Sequence, residues 1–409
     1  MAARVHSGTW LTVKRLRAHA LLVGATLWAL YVWTLATPGL RDRNGNLKGA
    51  DFLHFYTLGS LALEHRGADL YDMDKQAAVV ATRIPEAAGI RYLPLYPPQV
   101  SILFAPLAHF SYGWALTLWW ICTGLIYAMC CYSIWRACPN LRGHGALVTL
   151  LAAAFPAFFH LIAWGQTSAL ALACFTLMFF LLRDRRDFLA GLTLGCLIFK
   201  PQMGLAAAIV FVALGAWRAV AGAVVAAVVQ FSAGVFYYGK EPLRQWIHTL
   251  ANANSLLPLL EPKPYQTHCL RTFWAMIVPW PALASGLYVI SAAAILALTY
   301  SLWRRNATPL PLRFSALLLA TVLISPHLTI YDLAILAPVL LLLADWLMAQ
   351  SPEAANRIGT LLYLVYMLPL LSVVTRWTHV QLSVAAMVAL VCAIERRSRE
   401  GRQRKLSDS

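Results

Sequence analysis

Charged side chains are scarce in this sequence, and their scarcity excludes an ordinary water-soluble fold. Only 12% of the 409 residues are Asp, Glu, Lys or Arg, whereas a soluble domain carries roughly twice that share. Hydrophobic residues make up 60% of the chain. Apolar runs such as Ala18 to Thr37 recur, and each has about the 20 residues that a helix needs to cross a bilayer. The sequence therefore predicts an all-α integral membrane protein.

Cysteine is present but in no pattern that carries chemistry. The eight cysteines include no CxxC motif, and only Cys269 lies in a long polar segment. A disulfide framework or a cysteine metal site would need regular spacing in polar sequence. We interpret the cysteines as packing residues, because free cysteine is among the most buried residue types.

The net charge of +16 comes from short basic clusters between apolar segments. A nucleic-acid-binding protein would collect these charges on one soluble face, so we expect no nucleic acid partner. Short cytoplasmic loops are enriched in Lys and Arg, and four basic clusters fall on one side of the predicted alternation: KRLR from Lys14, RDRR from Arg183, Arg304 with Arg305, and ERRSREGRQRK from Glu395. This pattern predicts a multi-pass protein of the plasma (inner) membrane with both termini in the cytoplasm. The first span is too long for a signal-peptide core, and we expect it to be retained.

Apolar runs predict a polytopic bundle of about 12 transmembrane helices in a single domain, residues 1–395. Residues 38–111 and 239–281 form two long extracytoplasmic loops, and residues 396–409 form a basic cytoplasmic tail that we expect to be disordered. The predicted spans are Ala18–Thr37, Tyr112–Trp135, Ala146–Trp164, Ser168–Leu182, Phe188–Phe199, Met203–Ala216, Ala219–Tyr237, Ala282–Trp303, Phe314–Ile324, Leu333–Met348, Ile358–Val374 and Val380–Ile394.

Two segments depart from simple spans. Residues 52–64 have an apolar side, opposite a polar side made of His54, Ser60, Glu64 and the adjoining His65, which predicts an amphipathic helix along the membrane surface. The short pair of spans from Phe188 to Ala216 is interrupted by Lys200 and Pro201, which predicts a broken-helix or re-entrant hairpin.

The unusual polar motifs converge on one predicted face of the membrane. They lie at or near outer helix ends, whereas cytoplasmic ends carry mainly basic clusters. Polar groups at membrane depth are costly and mark a functional site by default. We therefore expect an extracytoplasmic site built from Asp51-Phe52, Tyr96-Pro97-Pro98, Gly165-Gln166-Thr167, Lys200-Pro201-Gln202, Ser325-Pro326-His327 and Tyr331-Asp332.

Two residues of this site carry the chemistry, and each has a structural alternative. Lys200 sits at a helix break, where it can bind an anion, or it snorkels to lipid head groups. Asp51 can act as a general base, or it caps the helix that follows it.

The roles of the other candidate residues are also open between a functional and a structural interpretation. Gln166 can bond a sugar hydroxyl or satisfy the turn between two helices. Arg271 and His327 can add positive charge to the site, although a lone His at a helix end is more often structural. Tyr96 and the prolines after it form a rigid extended turn that can shape a pocket rim.

The order of these motifs resembles glycosyltransferase family 87, the polyprenol-phosphate-mannose-dependent α-mannosyltransferases of the GT-C superfamily. The resemblance covers about residues 51–332 and rests on DF at Asp51, LYD at Leu70, YPP at Tyr96, GQTS at Gly165, AGLTLGCLIFKPQ at Ala190, and the late SPH and YD segments.

The resemblance implies a GT-C enzyme that moves a sugar, usually mannose, from a polyprenyl-phosphate carrier to a hydroxyl with inversion. The donor is then a substrate, the acceptor is a lipid-linked or cell-envelope glycan, and membrane lipid surrounds the protein. Asp51 matches the catalytic base, and Lys200 and His327 match donor-phosphate or sugar contacts. Gln166, Gln202, Arg271 and Tyr96 complete the expected substrate pocket.

The sequence departs from a metal-binding pattern at one point. Asp51 is followed by Phe52, Leu53 and His54 rather than by a second acid, so no DxD pair is present to hold a divalent metal. We expect neither a metal ion nor another cofactor.

A transporter or flippase for polyprenyl-linked sugars is the main alternative. Such a protein would also have many spans, broken helices and a buried cation. It would place its polar groups near the bilayer midplane, with paired motifs in two halves. Here the polar groups collect at one face, and the first long loop has no counterpart in the second half, which favours the transferase.

Overall fold

The computed structural model describes residues 11–252, 261 and 263–407, with side chains described as far as residue 400. These residues form helices and no β-strand. The α-helices, in chain order, are α1 (Val13–Leu35), α2 (Phe52–Leu63), α3 (Met73–Arg83), α4 (Gln99–Phe104), α5 (Tyr112–Arg136), α6 (Gly145–Ala153), α7 (Pro156–Trp164), α8 (Ser168–Arg183), α9 (Asp187–Gly195), α10 (Pro201–Ala213), α11 (Trp217–Tyr238), α12 (Glu241–Ala251), α13 (Leu270–Ile277), α14 (Pro281–Arg304), α15 (Leu310–Ile324), α16 (Ala337–Leu347), α17 (Pro352–Met367), α18 (Ser372–Thr378) and α19 (Leu382–Ser407).

The number of spans differs from the expectation of twelve, which is not confirmed. Among the described residues, six helical segments are long and apolar enough to cross a membrane. The count is seven if Pro139–Ala153 and Pro156–Trp164, which meet at a bend of 47°, form one span. The six are α1, α5, α11, α14, the 3₁₀ and α-helical segment Ile330–Leu347, and Pro352–Thr378. Helices α8, α10 and α15 are apolar but shorter than 18 residues. The chain is thus a multi-pass membrane protein in which several short helices pack inside a frame of longer ones.

The position of each helix in the bundle follows its pattern of apolar residues. Helix α15 is apolar around its whole circumference, and every residue from Phe314 to Ile324 is buried. A helix of this kind belongs at the centre of a bundle. Helices α1, α11 and α14 instead expose most of their apolar side chains, including Val228 and Ile290. These three helices form the outer surface that hydrocarbon chains would contact.

The helix break predicted at Lys200 is confirmed. Helix α9 continues as a 3₁₀ turn, Cys196–Phe199, and the backbone of Lys200 then becomes extended, with φ −134° and ψ 75°. Pro201 begins α10 at its first position, where the missing N–H costs no hydrogen bond. The break places the Lys200 side chain in the interior of the bundle.

Helices α9 and α11 approach each other closely through small residues. A Cβ atom added to Gly191 would lie 1.9 Å from the Ala219 carbonyl oxygen, and one added to Gly222 would lie 2.1 Å from the Phe188 carbonyl oxygen. In lipid the hydrophobic effect does not drive helices together, so close packing of this kind is what makes them associate. The pair holds the Lys200 segment against the rest of the bundle.

Gly191→Ala is expected to destabilise the fold by about 1–3 kcal/mol, because the added methyl group must separate the two backbones. Gly286→Ala in α14 is the matched control, since a Cβ atom there meets nothing within 4 Å. The control should be neutral or slightly stabilising, as alanine is the better helix former. Unfolding of both variants in the same detergent measures the difference, and equal stability would contradict the close packing.

The helix expected in the first long loop is present as α2, but its environment differs from the expectation. All residues from Phe52 to Ala62 are buried, including His54 and Ser60, which were expected on a water-facing side. Helices α4 and α5 and the 3₁₀ turn Ala105–His109 cover it. Glu64 and His65, which follow the last residue of α2, are exposed as expected, and the uncharged part of the polar side lets the rest of the loop fold over it. Helix α2 is therefore a core element.

The basic tail also differs from the expectation of disorder. Helix α19 continues through Ser407 rather than ending near residue 395. Ion pairs one turn apart accompany this extension, with 3.0 Å between Arg396 and Glu400 and 2.7 Å between Arg399 and Glu395. Arg305 also contacts Glu395 at 2.7 Å, which connects the start of the tail to the bundle.

Candidate functional site

Asp51 lies immediately before α2, and its side chain does not cap that helix. It bonds no backbone amide in the first turn of α2, all of which is described. The Oδ2 atom instead accepts a hydrogen bond of 2.6 Å from Nε2 of Gln166. The capping interpretation is therefore wrong, because the carboxylate is directed across the bundle rather than along its own helix.

The backbone around Asp51 is fixed by groups from other elements. Its N–H donates to the carbonyl oxygen of Trp164 at 3.0 Å. The Tyr92 hydroxyl donates to the Ala50 carbonyl, and the Tyr112 hydroxyl donates to the Gly49 carbonyl at 2.9 Å. Three hydrogen bonds from separate segments give the carboxylate a defined position.

Gln166 is positioned by the turn between α7 and α8. Gly165 ends α7 in a left-handed conformation with φ +70°, and a Cβ atom there would lie 2.7 Å from the Cβ atom of Phe52. Only glycine suits this position, because it tolerates positive φ and leaves room for α2. The Trp119 indole N–H donates to the Gly165 carbonyl at 3.0 Å and fixes the turn.

Lys200 is buried and forms an ion pair. Its side chain is 5% exposed, and Nζ lies 2.9 Å from Oδ1 of Asp332, whose side chain is 4% exposed. Nζ also lies 3.3 Å from the Ser168 hydroxyl and 3.4 Å from Oε1 of Gln166. The snorkelling interpretation is wrong, because the ammonium group is directed inward.

Asp332 completes a continuous polar chain. Its Oδ2 atom accepts hydrogen bonds from the Thr329 N–H at 3.2 Å and the Thr329 hydroxyl at 3.3 Å. The Thr329 side chain in turn accepts from the Asp332 backbone N–H, and the two residues form a capping box. Its Oδ1 atom accepts from Ser168 and Lys200. We call Asp332, Lys200, Gln166 and Asp51 the polar chain, since each bonds the next.

Burial and hydrogen bonding set the protonation of Asp51, which lies outside the candidate spans. Burial raises the pKa of Asp51 to about 6, and the Gln166 hydrogen bond and the charge of Lys200 oppose this rise. Its Oδ1 atom accepts no hydrogen bond from any described residue, and the side chain is partly exposed. One carboxylate oxygen is thus held while the other can accept a proton.

Arg271 and His327 belong to a second polar group, centred on Glu261. His327 Nδ1 lies 2.7 Å from Oε1 of Glu261, and Arg271 donates to the same oxygen and to the Pro326 carbonyl. Burial would raise the pKa of Glu261, but the hydrogen bonds from His327 and Arg271 hold it below the usual value. Between described residues, no hydrogen bond joins this group to the polar chain.

The remaining expected site residues, Tyr96 and Gln202, differ in their contacts with the polar chain. The Tyr96 ring packs on Phe55, with 4.9 Å between centroids, and Tyr96 interacts electrostatically with Lys200. Gln202 is partly exposed in the first turn of α10 and bonds no described residue through its side chain. The structure therefore places Tyr96 beside the polar chain and gives no such contact for Gln202.

A buried histidine near the polar chain has no hydrogen-bond partner within the described part of the chain. Both ring nitrogens of His54, which is 4% exposed, are in this state. Burial lowers the pKa of His54 to about 4, so the ring is neutral at pH 7. The His54 ring packs on Tyr92 and Tyr96. Unsatisfied buried polar atoms are rare in folded proteins and often mark a ligand site.

Two residues central to the geometry were not singled out from the sequence. Glu261 lies in a polar loop with no motif of its own, so no signal identified it. Ser168 is the last residue of the GQTS motif and follows Gln166 and Thr167, but a serine at a helix start is usually a cap. Its contact with Asp332 is visible only in three dimensions.

Comparison with known proteins supports one family. The model of glycosyltransferase family 87 matches residues 95–326, which include Tyr96, Gln166, Lys200 and Arg271. No curated protein and no solved structure matches the chain significantly. Because the match covers more than half of the chain, this protein belongs to glycosyltransferase family 87, and its activity is that of a membrane glycosyltransferase.

Proposed function

We propose that the protein transfers a hexose, with mannose as the first candidate, from a polyprenyl-phosphate donor to a hydroxyl of a lipid-linked or cell-envelope glycan. The observation that carries this proposal is the polar chain, in which Gln166 holds Oδ2 of Asp51 while Oδ1 accepts no hydrogen bond from any described residue. A positioned carboxylate of this kind can act as a general base.

The proposed reaction is a single displacement with inversion. The acceptor oxygen attacks the anomeric carbon of the donor sugar, and the bond between that carbon and the phosphate oxygen breaks. Asp51 Oδ1 takes the proton of the acceptor hydroxyl, and polyprenyl phosphate leaves with the electron pair of the broken bond. A phosphate monoester leaves without protonation by a protein acid, so one base is sufficient.

Lys200 acts in this proposal as a positioning residue. The cation is neutralised by Asp332 at 2.9 Å, so it offers little net attraction to a second anion. Its contact with Oε1 of Gln166, at 3.4 Å, instead fixes the amide so that Nε2 faces Asp51. This differs from the direct phosphate contact that the family resemblance implies for Lys200.

Arg271 and His327 are better candidates for the donor phosphate. Their side chains are 20% and 19% exposed, against 5% for Lys200. Arginine also presents several N–H donors in a plane and binds phosphate well. We propose that the donor phosphate displaces part of the Glu261 contact and binds between these two side chains.

The proposed orientation places the polar chain on the extracytoplasmic side of the plasma (inner) membrane, with both termini in the cytoplasm. It rests on the basic clusters at Lys14 to Arg17, at Arg183 to Arg186 and beyond residue 395, because short basic loops remain in the cytoplasm. The acceptor glycan would then be reached from outside the cell.

The function is tested with purified protein in liposomes. We expect transfer of radiolabelled sugar from polyprenyl-phosphate-mannose to membrane-extracted acceptors, and we expect it to persist with EDTA because no second acid follows Asp51. Donors that carry other hexoses test the choice of sugar. Movement of the labelled carrier between leaflets without transfer, for every donor, would contradict the transferase and support a flippase.

The pH dependence of transfer gives an independent check on Asp51. The carboxylate form is the active base, and burial raises its pKa to about 6, so the rate should rise with pH through about 6. The contribution of Asp51 to folding stability changes with pH in the opposite direction to the rate. Because the folded pKa is raised, the contribution of Asp51 to stability is present below the unfolded pKa and is lost as pH rises through about 6. A rate that is flat from pH 5 to 8 would argue against a base with this pKa.

A further inference from the structure

A large apolar cavity lies between α1, α5, α6, α16 and α17, and the proposed reaction does not use it. Its volume is about 390 Å³, and its lining includes Leu16, Tyr127, Leu147, Leu340 and Gly359. Cavities of this size bind drug-sized or lipid-like molecules. The lining contains no residue of the polar chain.

The cavity extends to the end of the bundle opposite Asp51. Tyr112, at the start of α5, bonds the Gly49 carbonyl beside Asp51, whereas Tyr127 and Cys131 of the lining lie in the second half of α5. Helix α1 has 23 residues and is roughly 35 Å long, so its first turn is about one membrane thickness from the site. A donor whose phosphate lies at the site therefore cannot also place that phosphate at this end of the cavity.

The same end of the bundle carries exposed basic side chains. Four exposed cations each directly adjoin a lining residue in sequence, and we call them the basic rim: Lys14, Arg17, Arg142 and Arg357. The nearby carboxylate of Asp345 is occupied by the backbone N–H groups of Asn140 and Leu141, at 2.7 and 3.2 Å. Exposed Glu353 offsets part of the charge, and the rim remains net positive.

Polar atoms lie where the apolar lining meets the rim. Asn356 lines the cavity, and its Oδ1 atom is buried without a hydrogen-bond partner in the described residues. His144 also lines the cavity close to Arg142. A deep apolar interior, a polar neck and a cationic rim match the order of acyl chain, glycerol and phosphate in a phospholipid.

We propose that the cavity binds one anionic phospholipid, with an acyl chain among the apolar side chains and the phosphate on the basic rim. A neutral lipid would gain the apolar contacts but not the charge complementarity. On the proposed topology the rim faces the cytoplasmic leaflet, whose surface potential is negative because of anionic lipids. The bound lipid would support α16, whose first residue, Ala337, lies five positions after Asp332 and lines the cavity.

Gly359→Leu tests the cavity directly. A Cβ atom at Gly359 meets nothing within 4 Å, so a leucine there can fill the space without moving the backbone. Gly286→Leu is the matched control, because Gly286 is equally unobstructed but lies on α14 outside the cavity. Each full-length protein is purified from nanodiscs of equal phosphatidylglycerol and phosphatidylcholine, and retained lipid is measured by native mass spectrometry.

We expect the wild type and Gly286→Leu to retain one phosphatidylglycerol, and Gly359→Leu to retain at least about tenfold less, since displacing two methylene groups already costs this much. Arg142→Gln with Arg357→Gln should weaken the preference for phosphatidylglycerol by about 30-fold, since each basic residue near a membrane surface contributes about a factor of five. This second variant changes only exposed side chains and keeps the test open if Gly359→Leu does not fold.

Three outcomes would overturn the proposal. Equal retention in wild type and Gly359→Leu would mean that the lipid is annular. Equal retention of both lipids by the wild type would mean that the rim does not select charge. Displacement of the retained lipid by polyprenyl phosphate at equimolar concentration would assign the cavity to the donor chain.

Discussion

Asp51→Asn is expected to lower the rate of sugar transfer by about 10²–10⁴-fold, the usual contribution of a general base. Asparagine has the same shape, and its side-chain oxygen can still accept the hydrogen bond from Gln166 Nε2. The variant should therefore fold normally and bind the donor, because only the ability to accept a proton is lost. Initial rates at saturating donor and acceptor measure the effect as kcat.

Asp72→Asn is the matched control for Asp51→Asn. Asp72 lies in the same loop and caps α3 by accepting from the N–H groups of Asp74 and Lys75. Asparagine caps helices equally well, so transfer should be unchanged. Full activity of Asp51→Asn would exclude Asp51 as the base. Equal loss of activity in both variants would point to a fault in loop folding instead.

The local features of the site could be predicted from the sequence. The break at Lys200 follows from a lysine and a proline between apolar runs, and the turn at Gly165 follows from a glycine between two helices. Motif order was sufficient to identify the family, which the match over residues 95–326 confirms. These features depend on neighbouring residues, whose spacing is visible in one dimension.

The pairings within the site could not be predicted in the same way. Lys200 and Asp332 are 132 positions apart, and Asp51 and Gln166 are 115 positions apart. No local pattern specifies such contacts, and Glu261 belongs to no motif at all. The sequence predicts one site for all of these polar residues, and it cannot divide them into the polar chain and the group around Glu261.

Two expectations that differ from the structure concern what surrounds a helix. An apolar run indicates burial, but lipid and protein interior are equally apolar, so a run cannot reveal which of them surrounds a helix. The sequence of α15 predicts a membrane span, but the helix has only 15 residues and lies in the centre of the bundle. Helix α2 likewise reads as amphipathic, but other parts of its loop cover its polar side.

Lys200→Met is expected to lower the free energy of unfolding by about 3–5 kcal/mol, because removing one partner of a buried ion pair leaves the other charge uncompensated. Asp332 is 4% exposed and would keep hydrogen bonds only from Thr329 and Ser168. Chemical unfolding in detergent measures the loss. Lys75→Met, at an exposed position on α3 outside the site, is the control for removing a lysine and should have little effect.

The double variant Lys200→Met with Asp332→Asn separates stability from catalysis. Asparagine removes the uncompensated charge and can still accept from Thr329, so we expect most of the lost stability to return. Transfer should stay low, because no cation remains to fix Oε1 of Gln166 and hence Asp51. If Lys200 is a positioning residue, kcat falls while KM for the donor changes little. A stable double variant with normal kcat and a raised donor KM would instead assign Lys200 to the donor phosphate, and one with unchanged kinetics would exclude it from the reaction.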